Sequence, residues 1–435
     1  MTDEYELATD ALDLFTLPPV DSSQVHGKTQ TYYPHATIND QGPYEIIIPN
    51  DSMEMVQLNS IRLHGSFSVL TAADANIAAA DTVSVVNNTC QSLFKQIELS
   101  LNGVTINDLS SSTYPYKAYI ENLYTFDKDI KDTTLRALEQ FYNDPVQGTT
   151  TIEDMLKANT EVSGGFKDRK ARILSGNKIY FIMLIHLDFL QSRKLLIPGV
   201  EMKFRFIRAD DSFTIFAKTA GPKIKMHHLE LVARKINCDP LVVAGIEKAL
   251  SSTTAKYPIA HAKIKTYLLH TSTQSQNISQ IYRGKLPRSF NMVMVKSKAY
   301  DGNHAENSFR FQHFGLNNFN VYINGEPVHA KAIQPDWTNE KCMEQYWWLQ
   351  QNIGLHMGAS NGITFEDFKD HAVMFAYDRT PDLCNSYTGH GGENGTLDIS
   401  VAFKTALTEN VIMIFYAVFD EIVTIDKDRN VLLVQ

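Results

Sequence analysis

The segment SLFKQIELSLNGVTIND, from Ser92 to Asp108, decides the fold. Ile97, Leu99 and Leu101 alternate with Glu98 and Ser100, the period of two that marks a strand with one face buried and one wet. Asn102-Gly103 then supplies two residues that tolerate positive φ, the requirement of a type I′ turn. Val104 and Ile106 resume the alternation on the return. The segment reads as a β-hairpin.

The pattern recurs at NFNVYINGEPV, Asn318 to Val328, where Phe319, Val321 and Ile323 alternate before Asn324-Gly325. Aromatic residues follow both copies: Tyr114, Tyr116 and Tyr119 after the first, and Trp337, Tyr346, Trp347 and Trp348 after the second. One hairpin repeated in each half predicts two copies of one all-β domain.

At 435 residues the chain exceeds a single ordinary core, and two domains follow from its length. A hydrophobic share of 43 % is that of a globular protein. Net charge is −9 without a long Lys/Arg run, which argues against a direct, sequence-specific grip on nucleic acid. Cys90, Cys238, Cys342 and Cys384 are widely spaced and form no C-x-x-C pair, so reduced thiols are expected rather than a zinc site or disulfide framework. The acidic start lacks a signal-peptide pattern, and the longest apolar runs, such as Val411 to Phe419, are too short to span a bilayer.

Residues 1–28 form an acidic arm carrying Asp3, Glu4, Glu6, Asp10, Asp13 and Asp21. Leu14 and Phe15 within it suit either a solvated tail or a segment that orders on a neighbouring subunit. Residues 29–238 are expected to form the first β domain, interrupted by a charged loop insertion at about 127–176. Ala118 to Tyr124 reads equally well as helix or strand. A linker at 239–256 carries the short helical pattern after Pro240, and 257–435 repeats the strand pattern. By their alternation Val411, Met413, Phe415, Ala417 and Phe419 answer Val200, Met202, Phe204 and Phe206. About eight strand candidates per half predict consecutive two-sheet sandwiches or jelly rolls.

Chemistry-bearing motifs are sparse. Gly358-Ala359-Ser360-Asn361-Gly362 fits G-x-S-x-G, yet that motif acts only on a sharp turn from a buried strand into a helix, and its surroundings read as glycine-rich loop. Asp426-Lys427-Asp428-Arg429-Asn430 imitates a calcium loop but has Val431 at the glycine position, so a turn between terminal strands is preferred. His227-His228-x-Glu230 offers two ligands at most on one strand face. No catalytic residue, cofactor site or metal site is nominated. Trp337, Trp347 and Trp348 belong either to the core or to a subunit interface.

Several stretches resemble the major capsid proteins of the Maverick/Polinton and adintovirus group. In the second half these are Phe309-Arg310-Phe311-Gln312-His313-Phe314, Val321-Tyr322-Ile323-Asn324-Gly325 and Gln334-Pro335-Asp336. Phe375-Ala376-Tyr377-Asp378-Arg379-Thr380-Pro381-Asp382-Leu383 and the ending Phe419-Asp420-x5-Asp426-x-Asp428-Arg429-Asn430-Val431-Leu432 extend the likeness. In the first half, Leu99 to Gly103 and Thr113 to Glu121 match as well.

The resemblance implies a double jelly roll without enzymatic activity. It further implies a homotrimer whose six barrels make a pseudo-hexagonal capsomer. That capsomer would contact neighbouring capsomers and penton or minor capsid proteins in an icosahedral virion shell around double-stranded DNA. A minor capsid or host-domesticated copy is the nearest alternative; a two-domain carbohydrate-binding β-sandwich protein is the alternative from another class.

Overall fold

The computed structural model describes residues 22–51, 53–107, 113–138, 164–218, 221–329, 331–353, 360–381 and 392–434. The first half contributes β1 (Gln24–Tyr32), β2 (Tyr44–Ile48), β3 (Glu54–Leu70), β4 (Val83–Val85), β5 (Phe94–Leu101), β6 (Val104–Thr105), β7 (Ile179–Leu184), β8 (Leu195–Leu196), β9 (Met202–Arg208), β10 (Ile215–Ala217) and β11 (Lys223–Cys238). The second contributes β12 (Ala255–Leu269), β13 (Ser275–Lys285), β14 (Ser289–Lys296), β15 (Leu316–Ile323), β16 (Glu326–Pro327), β17 (Met374–Asp378), β18 (Asn394–Phe403), β19 (Val411–Ile425) and β20 (Val431–Val434).

In the first half, a sheet of order β1-β11-β3-β7 faces one of order β2-β9-β5-β6. In the second, β12-β19-β14-β17 faces β13-β18-β15-β16. Setting aside β4, β8, β10 and β20, the two halves correspond strand for strand, in the same chain order and the same sheet order. Each half is a jelly roll: two antiparallel sheets closed over one core, with loops released at both ends.

Alternation makes the cores. Ile97, Leu99 and Leu101 on β5 meet Phe204 and Phe206 on β9 inside the first barrel. Phe319 and Val321 on β15 meet Ile399 and Val401 on β18 inside the second. The strand correspondence corrects one expectation from the sequence: β9 is answered by β18, and β19 answers β11. A period of two is common to every half-buried strand, so it cannot identify a strand's counterpart. The ambiguous run near Ala118 is a helix, Tyr114–Thr125, with Pro115 in its first turn, where the missing N–H costs no hydrogen bond.

Helix Pro240–Leu250 lies between β11 and β12, and Asp239 caps it by accepting the Leu241 N–H at 2.8 Å. The boundary between the halves is not a clean cut. Tyr257 and Ile259 of β12, Val423 and Ile425 of β19, and Val431 of β20 belong to the first barrel's core. The second half thus closes one end of the first.

Gly103 and Gly325 have φ of 81° and 83°, and a Cβ at either would meet nothing within 4 Å. Gly103→Ala and Gly325→Ala should therefore each cost about 1 kcal/mol from backbone strain alone, additively in the double variant. Gly245→Ala, in the helix interior with equally open space, should instead stabilise by about 0.5–1 kcal/mol. Urea-denaturation midpoints measure all three, and equal costs at the two hairpins are expected from the duplication.

Candidate assembly interface

The structure builds the two Asn-Gly turns alike. Asn102 and Asn324 have φ of 46° and 52°. Asn102 Oδ1 accepts the Glu201 N–H at 2.8 Å, and its own N–H donates to Glu201 O at 3.1 Å. Asn324 makes the same pair of bonds with Thr396, at 2.9 and 3.0 Å. Each turn is thereby locked to the residue before or within the neighbouring strand.

Asn102 has a second role. Its Nδ2 donates to Arg429 O at 2.9 Å, joining the first hairpin to the turn between β19 and β20. Asp426 organises that turn by accepting the Asp428 and Asn430 N–H groups and Asn430 Nδ2. These hydrogen bonds, led by those from Asn430, hold its carboxyl below the usual range. Arg429 Nε reaches Pro198 O at 2.8 Å, and its guanidinium pairs with Glu247 of the linker helix. The D-x-D-R-N ending is a joint between the halves.

The tryptophans separate. Trp337 is half-buried, stacks on His313 with centroids 4.4 Å apart, and donates Nε1–H to Leu316 O at 2.7 Å. Trp348 is half-buried and stacks on His329 at 4.8 Å. Trp347 is 46 % exposed and Met343, one helical turn earlier, 52 %. Leu14 and Phe15 lie outside the described residues.

A seam between the barrels holds functional groups that sequence reasoning missed. Helix Tyr114–Thr125 lies against the outer face of the second barrel's β12-β19-β14-β17 sheet. Tyr116, Tyr119, Ile120 and Leu123 form one cluster with Val293, Val295, Ile412, Ile414 and Val418. Tyr119 stacks on Phe309 at 4.4 Å, and Tyr116 on Tyr300 at 5.5 Å.

Inside this apolar contact sits a charge cluster. Lys117 Nζ is 2.6 Å from Asp188 Oδ1 and 3.7 Å from Glu121 Oε1. His186 Nδ1 is 2.6 Å from Glu121 Oε2. The second barrel supplies the Tyr416 hydroxyl, donating to Glu121 Oε1 at 3.1 Å, and the Ala262 N–H, donating to Asp188 Oδ2 at 3.0 Å. Burial raises the Glu121 pKa, but Lys117, His186 and Tyr416 together outweigh it and hold it below the ordinary value. At Asp188 burial wins over Lys117, with the Glu121 charge pushing the same way.

A second pairing, His261 Nδ1 to Glu421 Oε2 at 2.5 Å and Lys263 Nζ to Glu421 Oε1 at 2.7 Å, lies on β12 and β19. A cavity of about 240 Å³ between the barrels is lined by Glu121, Asp188, Arg288, Asn291, Asn352 and Tyr416 among others. The signal for the cluster was present in the sequence: Lys117 and Glu121 stand four apart in a mainly aromatic and aliphatic segment.

The motifs weighed for catalysis and metal binding sit as follows. Gly358 and Ala359 lie outside the described residues; Ser360 is exposed, with its Oγ accepting the Gly362 N–H at 3.1 Å. Leu355-His356-Met357 also lie outside the described residues, and the preceding described element is helix Met343–Ile353. His228 Nε2 approaches Glu230 Oε2 at 3.1 Å, while His227 sits at a bulge and meets Ser68 Oγ at 2.8 Å. Among the described residues no group of three or more His, Cys, Asp or Glu is arranged to hold a metal ion. Cys90, Cys238 and Cys342 are buried thiols; Cys384 lies outside the described residues.

No family model matches the chain. An uncharacterized protein of Caenorhabditis elegans is 22 % identical over 411 residues, covering 90 % of this chain and 93 % of that one. Among solved structures, a chain of the Sputnik virophage superposes with a TM-score of 0.63 at 10 % identity, covering 97 % of this chain and 91 % of that one. A chain of the PBCV-1 virus capsid gives 0.60 at 11 % identity, with 96 % and 98 % covered. The mavirus major capsid protein gives 0.54 at 10 % identity, with 97 % and 92 % covered. At these identities the likeness establishes the fold: the chain is a double jelly roll of the kind found in capsid proteins of large DNA viruses and virophages.

Two outcomes test the seam. Lys117→Met leaves two buried carboxylates without their cation and should destabilise by about 3–5 kcal/mol in urea denaturation. Because Glu121 and Glu421 are held below their ordinary value of 4.5, the stability they contribute is complete above it. That stability drains as pH falls through their folded-state values. Asp188, shifted upward, contributes in the opposite sense. Glu421→Gln should flatten the acid limb of a plot of urea midpoint against pH, and an unchanged limb would remove Glu421 from the account.

Proposed function

We propose that this chain is a major capsid protein of the Maverick/Polinton and adintovirus kind. Three copies associate as a pseudo-hexameric capsomer, and capsomers tile an icosahedral shell around double-stranded DNA. The observation that carries the reading is end-to-end correspondence: both barrels, in order and in mutual placement, superpose on viral capsid chains over more than nine-tenths of either partner.

The seam supports the same reading. A protein that tiles must present its two barrels at a fixed angle, and here an aromatic helix, a buried charge cluster and the Asn102–Arg429 joint tie them together. The duplication gives one chain two similar lateral surfaces, which suits hexagonal packing by three chains. The role is structural rather than catalytic, the place of work is the virion, and the net charge of −9 leaves genome contact to other, basic components.

Size-exclusion chromatography with light scattering should give a stable mass of three chains. Negative-stain images should show flat particles of hexagonal outline. A strict monomer at all accessible concentrations would overturn the proposal and favour a monomeric binding protein.

A further inference from the structure

The buried charge cluster of the seam brings together groups that can react as well as pair. Lys117 Nζ lies 2.6 Å from Asp188 Oδ1. Lys117 and Glu121 are buried, and the Asp188 side chain is 8 % exposed. Tyr114, Leu187, Ala262 and Ile264 line the small cavity beside Lys117. In water an amine and a carboxylic acid meet as unreactive ions. Burial penalises both charged forms, and a neutral amine held against a neutral acid is a nucleophile facing an electrophile.

We propose that Lys117 and Asp188 join in an intramolecular isopeptide bond, Nζ to Cγ, with Glu121 carrying the proton between them. The bond is a modification of the folded chain, formed once per molecule. It goes beyond the capsomer reading and does not depend on it.

Each part of the reaction has a group in place. Glu121 Oε1 is 3.7 Å from Lys117 Nζ, a separation that proton transfer closes as the nitrogen moves onto carbon. Tyr416 and His186 orient that carboxylate from its far side. The Tyr416 hydroxyl donates to Oε1 at 3.1 Å, and His186 Nδ1 lies 2.6 Å from Oε2. The Ala262 N–H donates to Asp188 Oδ2 at 3.0 Å. Negative charge gathers on that oxygen when the carbonyl is attacked, so the N–H stands where an oxyanion donor must.

The two acidities fit these roles. At Asp188 burial raises the pKa and favours the protonated electrophile. At Glu121 burial also pushes upward, but Lys117, His186 and Tyr416 outweigh it and favour the carboxylate base.

The step balances. Nζ of the neutral amine attacks Cγ of the neutral acid, and Glu121 takes one Nζ proton. Glu121 returns that proton to the Asp188 hydroxyl, which leaves as water. One C–N bond replaces one C–O bond, nothing is oxidised or reduced, and Glu121 ends as the carboxylate it began. The cavity of about 240 Å³ lined by Glu121 and Asp188 has room for the water. Well-oriented groups held in contact reach effective concentrations on the order of 10⁵ M, an advantage that here replaces chemical activation. Tyr416 and Ala262 belong to the second barrel, so the site is complete only once the barrels have docked. The bond then fixes helix Tyr114–Thr125, on which the second barrel rests, to the turn Asp188–Gln191 of the first.

The test reads the unaltered full chain by mass. Intact-mass spectrometry of the denatured protein should show one water fewer than its residues specify. A tryptic digest should contain residues 96–128, uncut at Lys117, joined to residues 179–193. Lys117→Arg keeps a cation beside both carboxylates and should restore the full mass, with the two peptides separate. Glu121→Gln should stay unlinked while circular dichroism reports the same β fold. A full mass for the unaltered chain, with cleavage after Lys117, would overturn the proposal and leave a plain ion pair. Loss of water mapped to any other peptide would overturn it equally. A linked peptide in the Glu121→Gln protein would strike Glu121 from the reaction.

Discussion

A strand can be apolar on both sides only if something covers both sides. β14 and β19 are that case. Met292, Met294, Met413 and Phe415 point into the second barrel's core, and Val293, Val295, Ile412 and Ile414 point away from it. The cluster that covers the outward set draws on both halves: Tyr116, Tyr119, Ile120 and Leu123 of helix Tyr114–Thr125 with Phe213 and Phe216 from the first, and Phe309, Phe311, Leu349 and Phe368 from the second. Neither half is complete alone. Removing the helix would expose a broad apolar sheet, and removing the sheet would strand a helix whose described side chains are nearly all buried. The same dependence runs the other way at the far end, where Val423, Ile425 and Val431 close the first barrel.

Within that seam the buried ions restrict the geometry more than they stabilise it. Apolar contact is non-directional and tolerates sliding; a carboxylate shared among a lysine, a histidine and a tyrosine does not. Glu121 accepts from Tyr416 of the other barrel while held by Lys117 and His186 of its own. Asp188 accepts from Ala262 across the same boundary. Any slip of one barrel on the other strips Glu121 and Asp188 of the hydrogen bonds that Tyr416 and Ala262 donate, leaving buried carboxylate oxygens unsatisfied at a cost of about 1–3 kcal/mol each. For a protein read as a tile, angular precision matters more than the net stability of the pair.

The repeated hairpins were legible because Asn-Gly between alternating segments is a local rule: positive φ at both positions and a fixed register. From two such hairpins the duplication and the β architecture followed. What period two could not supply was identity. β19 and β9 alternate alike, whereas sheet order sets β19 against β11. Trp337, Trp347 and Trp348 look equivalent in the sequence, yet the helix that carries the last two turns one towards His329 and the other outward. The charge cluster escaped notice because Lys117, Glu121, His186 and Asp188 become neighbours only once β7 returns beside the helix, some sixty residues later.

Duplication also explains why the two outer sheets carry such different residues. Both occupy one position in the repeated unit, but one is sealed against the first half and the other carries charged and polar side chains among its apolar ones. The first can therefore hold Val293, Ile412 and Ile414 in continuous contact with aromatic rings. The second keeps Arg62, His64, His228 and Glu230 beside Ile182 and Leu184, with Glu230 drawn toward both His64 and His228. A sheet face as apolar as its twin, if open to water, would be an aggregation liability. The difference in composition between the twin surfaces thus tracks the apolar cover that the seam gives to one of them.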